Sequence, residues 1–205
     1  AYFTPVKEND LIVGSNIVLD DITEKKRSEQ ELQEKVFRDP LTRAYNRRAL
    51  DKQLPDKLDQ LKEKGLMGCI ALLDIDNFKD INDKFGHKAG DGVLKYLATR
   101  VKKELREDDL FIRTGGDEFL IYLHDIREEK NASNFIKRIF DKITGSYRLM
   151  DENDEPYKIY VSCSIGASFF PKDGSSVETL MAKADKALYK VKSSGKSNYQ
   201  IELSD

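Results

Sequence analysis

The stretch LMGCIALLDI, from Leu66 to Ile75, constrains the fold of this chain more than any other. It is apolar without alternation, so a strand made from it hides both faces and belongs at the centre of a sheet covered by helices on either side. Its one charged residue, Asp74, stands at the carboxyl end, where ligands of open sheets collect. A central strand needs neighbours, and the chain supplies them. LFIRT and FLIYL flank the pair Gly115 and Gly116, which marks a tight hairpin because glycine takes a positive φ at no steric cost. KIYVSCSIGASFF reads as a further long strand and NYQIEL as a short last one.

Helical periodicity fills the spaces between them. NRRALDKQLPDKLDQLKEKG predicts a helix broken at Pro55 and closed by Gly65. GDGVLKYLATRVKKELR carries Val93, Leu94, Leu97, Val101 and Leu105 on one face, and NASNFIKRIFDKIT and SVETLMAKADKALYKVKSSG behave alike. The order is strand, helix, hairpin, helix, strand, with a helix and a short strand appended. That is α/β (α+β), a single mixed and mainly antiparallel sheet flanked by helices. Ahead of it, LIVGSNIVLDDIT has strand character but no evident partner within so short a piece, and EKKRSEQELQEKVFRD reads as an exposed helix with about two heptads of apolar positions. The expected division is 1–23, the end of another domain; 24–38, a linker helix; and 39–205, the main domain.

With 39% hydrophobic and 35% charged residues and a formal net charge of -2, the chain has no basic footprint, so a nucleic-acid polymer is not an expected partner. Cys69 and Cys163 lie inside apolar strand runs, as reduced core residues of a cytosolic protein do. No apolar run approaches the roughly 20 residues a membrane-spanning helix needs. The expected place is the cytoplasm, with room for a membrane anchor elsewhere in a longer parent.

Asp74 and the pair Asp117–Glu118 fall at the ends of strands that neighbour one another in this sheet. Carboxylates converging without histidine or thiol suit a hard cation such as Mg²⁺ or Mn²⁺. DIDNFKDINDKF has the look of a calcium loop, but Phe78 and Lys79 stand where that loop requires a ligand and a glycine.

Four segments, DPLTRAYNRR, DIDNFKDINDKFGHKAGD, TGGDEF and ADKALYKVKSSGKSN, together resemble the GGDEF domain of diguanylate cyclases, from about Asp39 to the C-terminus. The resemblance implies the βαββαβ core shared by nucleotidyl cyclases and polymerase palms. It implies condensation of two GTP into cyclic di-GMP and two pyrophosphates by a homodimer, with two Mg²⁺ or Mn²⁺ ions per GTP. Asp74, Asp117 and the carbonyl of Ile75 would hold the ions, with Glu118 as a further ligand or as the base. The amides of Asn77 and Phe78, with Lys79, Lys192 and Lys196, would hold phosphates. The family often has arginine where this chain has Lys196, so the bidentate fork is lost there. Gly115 and Gly116 would let the hairpin approach the nucleotide. Asn82 and Asp91 match the positions that read guanine, and a carboxylate at 91 favours GTP over ATP. Arg106 and Asp109 match an RxxD product-inhibition site, with Arg138 as a further arginine. His87 is expected to be structural and His124 an exposed loop residue. GSNIVLDDITEKKRSEQELQE resembles the exit from a PAS sensor into a signalling helix, which implies an upstream sensor domain. The alternatives are a non-catalytic cyclic di-GMP receptor and a dimerisation module. The retained Asp74, Lys79, Asp117 and Glu118 speak against the receptor, and the intact guanine and phosphate positions against the dimerisation module.

Overall fold

The computed structural model of the chain describes residues 2–8, 11–18, 21–24, 36–150 and 156–201. They fall in two compact units, Ala1–Val36 and Phe37–Asp205, described separately. In the first, β1 (Tyr2–Glu8) and β2 (Leu11–Val18) form an antiparallel pair, with an irregularity between Val6 and Lys7. The LIVGSNIV segment thus has a partner within its own piece. Pro5 masks that first strand in the sequence, yet a two-stranded ribbon has only edges, where proline is tolerated. Residues 25–35, most of the expected linker helix, lie outside the described residues.

The second unit is built on a five-stranded sheet in the order β4, β5, β3, β8, β9. β3 (Met67–Ile75) is its centre, antiparallel to β5 (Glu118–Ile126) on one side and to β8 (Cys163–Phe170) on the other. β4 (Leu110–Gly115) closes one edge, and β9 (Asn198–Ile201), parallel to β8, closes the other. The mixed, mainly antiparallel sheet expected from sequence is the one found. Odd-numbered residues of β3, from Cys69 to Ile75, face α3 (His87–Lys102) and α4 (Glu129–Ile143), with Val93, Leu97, Ile136 and Ile139 packed beneath. The opposite face, with Ile70, Leu120 and Tyr122, is covered by α1 (Arg47–Lys64) and α5 (Val177–Ser193). α2 (Phe78–Phe85) turns the chain from β3 into α3.

Two sequence expectations need correction. α1 runs unbroken through Pro55. Leu50, Leu54, Leu58 and Leu61 keep one buried stripe on both sides of it, and proline faces solvent, so the carbonyl it leaves unbonded at Asp51 is also exposed to water. The segment KIYVSCSIGASFF is not one strand. It divides at Ser162 into β7 (Pro156–Val161), which pairs with β6 (Gly145–Met150) in a separate hairpin, and β8. Tyr157 of that hairpin stacks on Phe85 with ring centroids 4.9 Å apart.

Candidate active site

The even-numbered face of β3 carries Asp74 to the end of the sheet. Its neighbours in register are Glu118 on β5 and Ser164 on β8. Pairing with β5 stops at Asp74, whereas pairing with β8 continues to Ile75, so the backbone of Ile75 lies beyond the last residue of β5 that could bond it. The hairpin turn is displaced by one residue from the glycine pair. Gly115 still belongs to β4 and pairs with Glu118, and the loop is Gly116–Asp117. Gly116 has φ +50°, the left-handed region, while a Cβ on Gly115 would meet nothing within 4 Å. Only Gly116 is required by the backbone itself. Room at Gly115 is open space beside the carboxylates.

Asp74 is 9% exposed, and its carboxyl is held above the ordinary value. Burial is the largest cause, and the Asp117 and Glu118 charges push the same way. The opposing pull comes from Lys192 at the end of α5, whose Nζ lies 2.7 Å from Asp74 Oδ2. A desolvated carboxylate among two others demands positive charge, and the lysine provides part of it. Among the described residues no three acidic, histidine or cysteine side chains stand close enough to form a ready ion cage. The donor set nevertheless suits a hard cation that brings or shares other oxygens, as Mg²⁺ does with phosphates and water. Glu118 is exposed and borders a cleft of about 510 Å³ between α1 and α5, floored by Leu72 and Met181.

The turn after β3 is braced by a residue whose part was not evident from sequence. Asp76, 5% exposed, accepts from Ser162 Oγ (2.7 Å), Ser164 Oγ (2.7 Å) and the amide of Ser197 (2.9 Å). Its own amide donates to the carbonyl of Ser162 at 3.0 Å. A buried carboxylate with three donors is satisfied, so Asp76 is a strut and not a free ligand. It fixes Asn77 in the left-handed region (φ 55°) at the start of α2. Lys196 then donates to Asn77 Oδ1 at 2.8 Å, while Lys79 is exposed. Lys192 and Lys196 are therefore drawn to Asp74 and Asn77 from a segment more than 110 residues away.

A second brace joins the start of the unit to the hairpin turn. Arg113 donates through Nε (3.0 Å) and Nη2 (2.7 Å) to the carbonyl of Gly116, and through Nη1 to Asp39 at 3.1 Å. Asp39 also accepts from the amide and hydroxyl of Thr42 at 2.8 and 2.6 Å. Burial alone would raise the Asp39 carboxyl, but the Thr42 and Arg113 bonds outweigh it and hold it below the ordinary value. The sequence signal was present, an Asp and an Arg in quoted motifs 74 residues apart, but nothing local couples them.

Asn82 and Asp91 stand at the corner of α2 and α3. A Cβ on Gly90 would lie 2.0 Å from Asn82 Oδ1 and 3.1 Å from Phe78 Cζ, so the glycine lets the Asn82 amide sit against α3 beside Asp91. Gly86 occupies the cap position of α3, which leaves the exposed Asp91 carboxylate out of capping.

Arg106, Asp109 and Arg138 line one cavity of about 410 Å³ on another part of the surface. Asp109, 8% exposed, accepts from the amides of Arg106 (2.9 Å) and His124 (3.0 Å). His124 is not a loop residue. It lies within β5, half-buried, with Nδ1 2.7 Å from the Tyr122 hydroxyl, and it lines the same cavity.

A mixed sheet with acidic residues at the end of its central strand, lysines converging on them and a tight acidic turn beside them defines an α/β domain with one charged site at the end of its sheet. The family model described as "Diguanylate cyclase, GGDEF domain" matches residues 36–198, and the chain belongs to that family. It is 31% identical over 173 residues to the bifunctional diguanylate cyclase/cyclic di-GMP phosphodiesterase MucR of Pseudomonas aeruginosa, covering 84% of this chain and 24% of that protein. The chain thus spans about a quarter of the length of such curated relatives. Among solved structures it is similar to diguanylate cyclase SiaD of Pseudomonas aeruginosa in complex with its activator SiaC (32% identity, TM-score 0.75, covering 87% of this chain and 66% of that one). It is also similar to the coiled coil and GGDEF domain of DgcB from Caulobacter crescentus in complex with c-di-GMP (25% identity, TM-score 0.78, covering 88% and 93%). Among the described residues no helix is long and apolar enough to cross a membrane.

Proposed function

We propose that this chain is a diguanylate cyclase domain that condenses two GTP into cyclic di-GMP and two pyrophosphates. The observation that carries the reading is the convergence of Asp74, Lys192 and the Asp117–Glu118 turn at one end of the sheet. Asn77, Phe78, Lys79 and Lys196 bind the triphosphate of one GTP, and its guanine goes to Asn82 and Asp91. Two Mg²⁺ or Mn²⁺ ions, held by Asp74, Asp117, the Ile75 carbonyl and Glu118, would supply charge neutralisation at the α-phosphate and acidify the attacking hydroxyl. In the ligand-free chain Lys192 neutralises Asp74, and it turns to phosphate when the nucleotide arrives. Each 3′-hydroxyl attacks the α-phosphorus of the GTP on the other subunit. One P–O bond forms, the bond to the β-phosphate oxygen breaks, pyrophosphate leaves, and the hydroxyl proton passes to Glu118 or to water. Two such steps close the ring, so two copies must face each other.

The same proposal places residues 1–23 at the end of an upstream sensor, 24–38 in a signalling helix that aids dimerisation, and 39–205 in the cyclase domain. Arg106, Asp109 and Arg138 form the site at which the product inhibits. The decisive experiment is incubation with GTP and Mg²⁺, analysed by mass. Cyclic di-GMP as product supports the cyclase, whereas intact GTP with bound cyclic di-GMP would make the chain a receptor.

A further inference from the structure

Beyond Arg106, Asp109 and Arg138, the cavity is lined by three further charged residues, Glu104, Asp125 and Arg127. Glu104 stands between Arg138 and Lys142 at the cavity wall. Its Oε2 accepts from Arg138 Nε at 2.8 Å, its Oε1 is bonded by Lys142, and its side chain is only 15% exposed against 50% for Arg138. Those bonds, with Lys142 the stronger influence, hold the Glu104 carboxyl below its ordinary value, so it is a carboxylate at neutral pH. Arg127, on the loop between β5 and α4, lines the cavity from the opposite end of β5 to the catalytic turn and is exposed. No hydrogen bond or ion pair engages its guanidinium among the described residues. Arg106 is likewise exposed.

One arginine of the three is therefore occupied, and two stand open. A carboxylate on a guanidinium and a phosphodiester on a guanidinium use the same fork of donors, so they exclude each other. We propose that Glu104 is an internal competitor for Arg138 and sets the threshold of product inhibition, with Arg127 and Arg106 the arginines that meet the cyclic dinucleotide first. This rests on the inhibitory reading of the cavity given above. A phosphate of the ligand must displace Glu104 from Arg138 before the third arginine contributes. Lys142 is the other half of the device, because it gives the displaced carboxylate a place to stay. Without Lys142, Glu104 would have Arg138 as its only cation partner and would hold it harder.

The test is calorimetric titration of the full chain with cyclic di-GMP for wild type, Glu104→Gln, Lys142→Ala, Arg127→Ala and Arg106→Ala. Glu104→Gln keeps the shape and removes the charge. It should bind about two- to five-fold tighter, the range that loss of an exposed ion pair allows. Lys142→Ala should bind more weakly than wild type, by a similar factor. Arg127→Ala should lose about ten-fold. Arg106→Ala reports on the site itself. If Arg106→Ala weakens binding while Glu104→Gln binds no tighter, the competitor is refuted and the site stands. If wild type does not bind, or Arg106→Ala binds like wild type, the inhibitory reading fails and takes this inference with it. Thermal melting of each variant separates a folding defect from a change in the cavity. Should Glu104→Gln melt early, the Lys142→Ala shift, which leaves Glu104 in place, decides the matter alone.

Discussion

Asp74 pays for its position in stability. A carboxyl whose folded value lies above its unfolded one takes up protons on folding, so the folded state is penalised once the pH exceeds the unfolded value. Asp74→Asn removes that penalty, and Lys192, 36% exposed, can turn to water. The variant should make no cyclic di-GMP and yet melt at least as high as wild type at pH 7. A melting point several degrees lower would show that the ion pair, not burial, dominates. Asp117→Ala, in the two-residue hairpin loop, should likewise abolish synthesis with an unchanged melt. Arg113 acts differently, since it touches no reacting atom and holds the carbonyl of Gly116 and the carboxylate of Asp39 with one planar fork. A lysine cannot bond both. Arg113→Lys should lower kcat about ten-fold with little change in KM, a positioning effect. The pH dependence is opposite to that of Asp74. The depressed Asp39 carboxyl contributes stability above its unfolded value, and that contribution disappears as the pH falls through the folded one. The stability gap between wild type and Asp39→Asn should therefore close in acid, which melts between pH 7 and pH 3 would measure.

At the scale of elements, β8 and α5 pack backbone against backbone at Gly166. A Cβ on Gly166 would lie 2.1 Å from the Leu188 amide and 2.3 Å from the Ala184 carbonyl, both backbone, so helix and strand must part. Gly166→Ala should destabilise by about 3 kcal/mol or more, at the upper end of overpacking. It should also lift Lys192 away from Asp74. At the α2–α3 corner, by contrast, a Cβ on Gly90 meets the end of a side chain, Asn82 Oδ1. Gly90→Ala should cost little in melting temperature and raise KM for GTP about ten-fold through the displaced amide. A normal KM would place guanine elsewhere. Elements of this kind were legible where their periodicity is self-contained. MGCIALLDI announced the central strand, and the spacing of Val93, Leu97 and Val101 announced α3. The β6–β7 hairpin was not, because nothing between Tyr160 and Ser164 marks the change of sheet; the division at Ser162 follows from Asp76, which claims that serine from 86 residues away. The same reason hid Arg113 and Asp39. Motif residues can be read off one by one, but which of them grip one another depends on register, and register is a property of the folded sheet.

For the whole molecule, the geometry of cyclisation sets a concentration dependence. One domain presents one acidic end, so two must meet, and residues 24–38 are proposed to bring them together. Specific activity should rise with protein concentration and level off once the dimer is formed. A constant value across a wide dilution series of a proven monomer would refute the face-to-face arrangement. The site is also assembled from the length of the domain. Asp74 and Asn77 come from its first half, the turn at Gly116 and Asp117 from the middle, and Lys192, Lys196 and the Ser197 amide from the end of α5 and the residues just after it. During synthesis on the ribosome, Asp76 therefore emerges long before all three of its donors, Ser162, Ser164 and Ser197. A nascent chain arrested before Lys192 holds the Asn77 turn without the Ser197 donor and an Asp74 without its lysine. Nucleotide binding should appear abruptly with the last strand, so unfinished chains neither sequester GTP nor release signal.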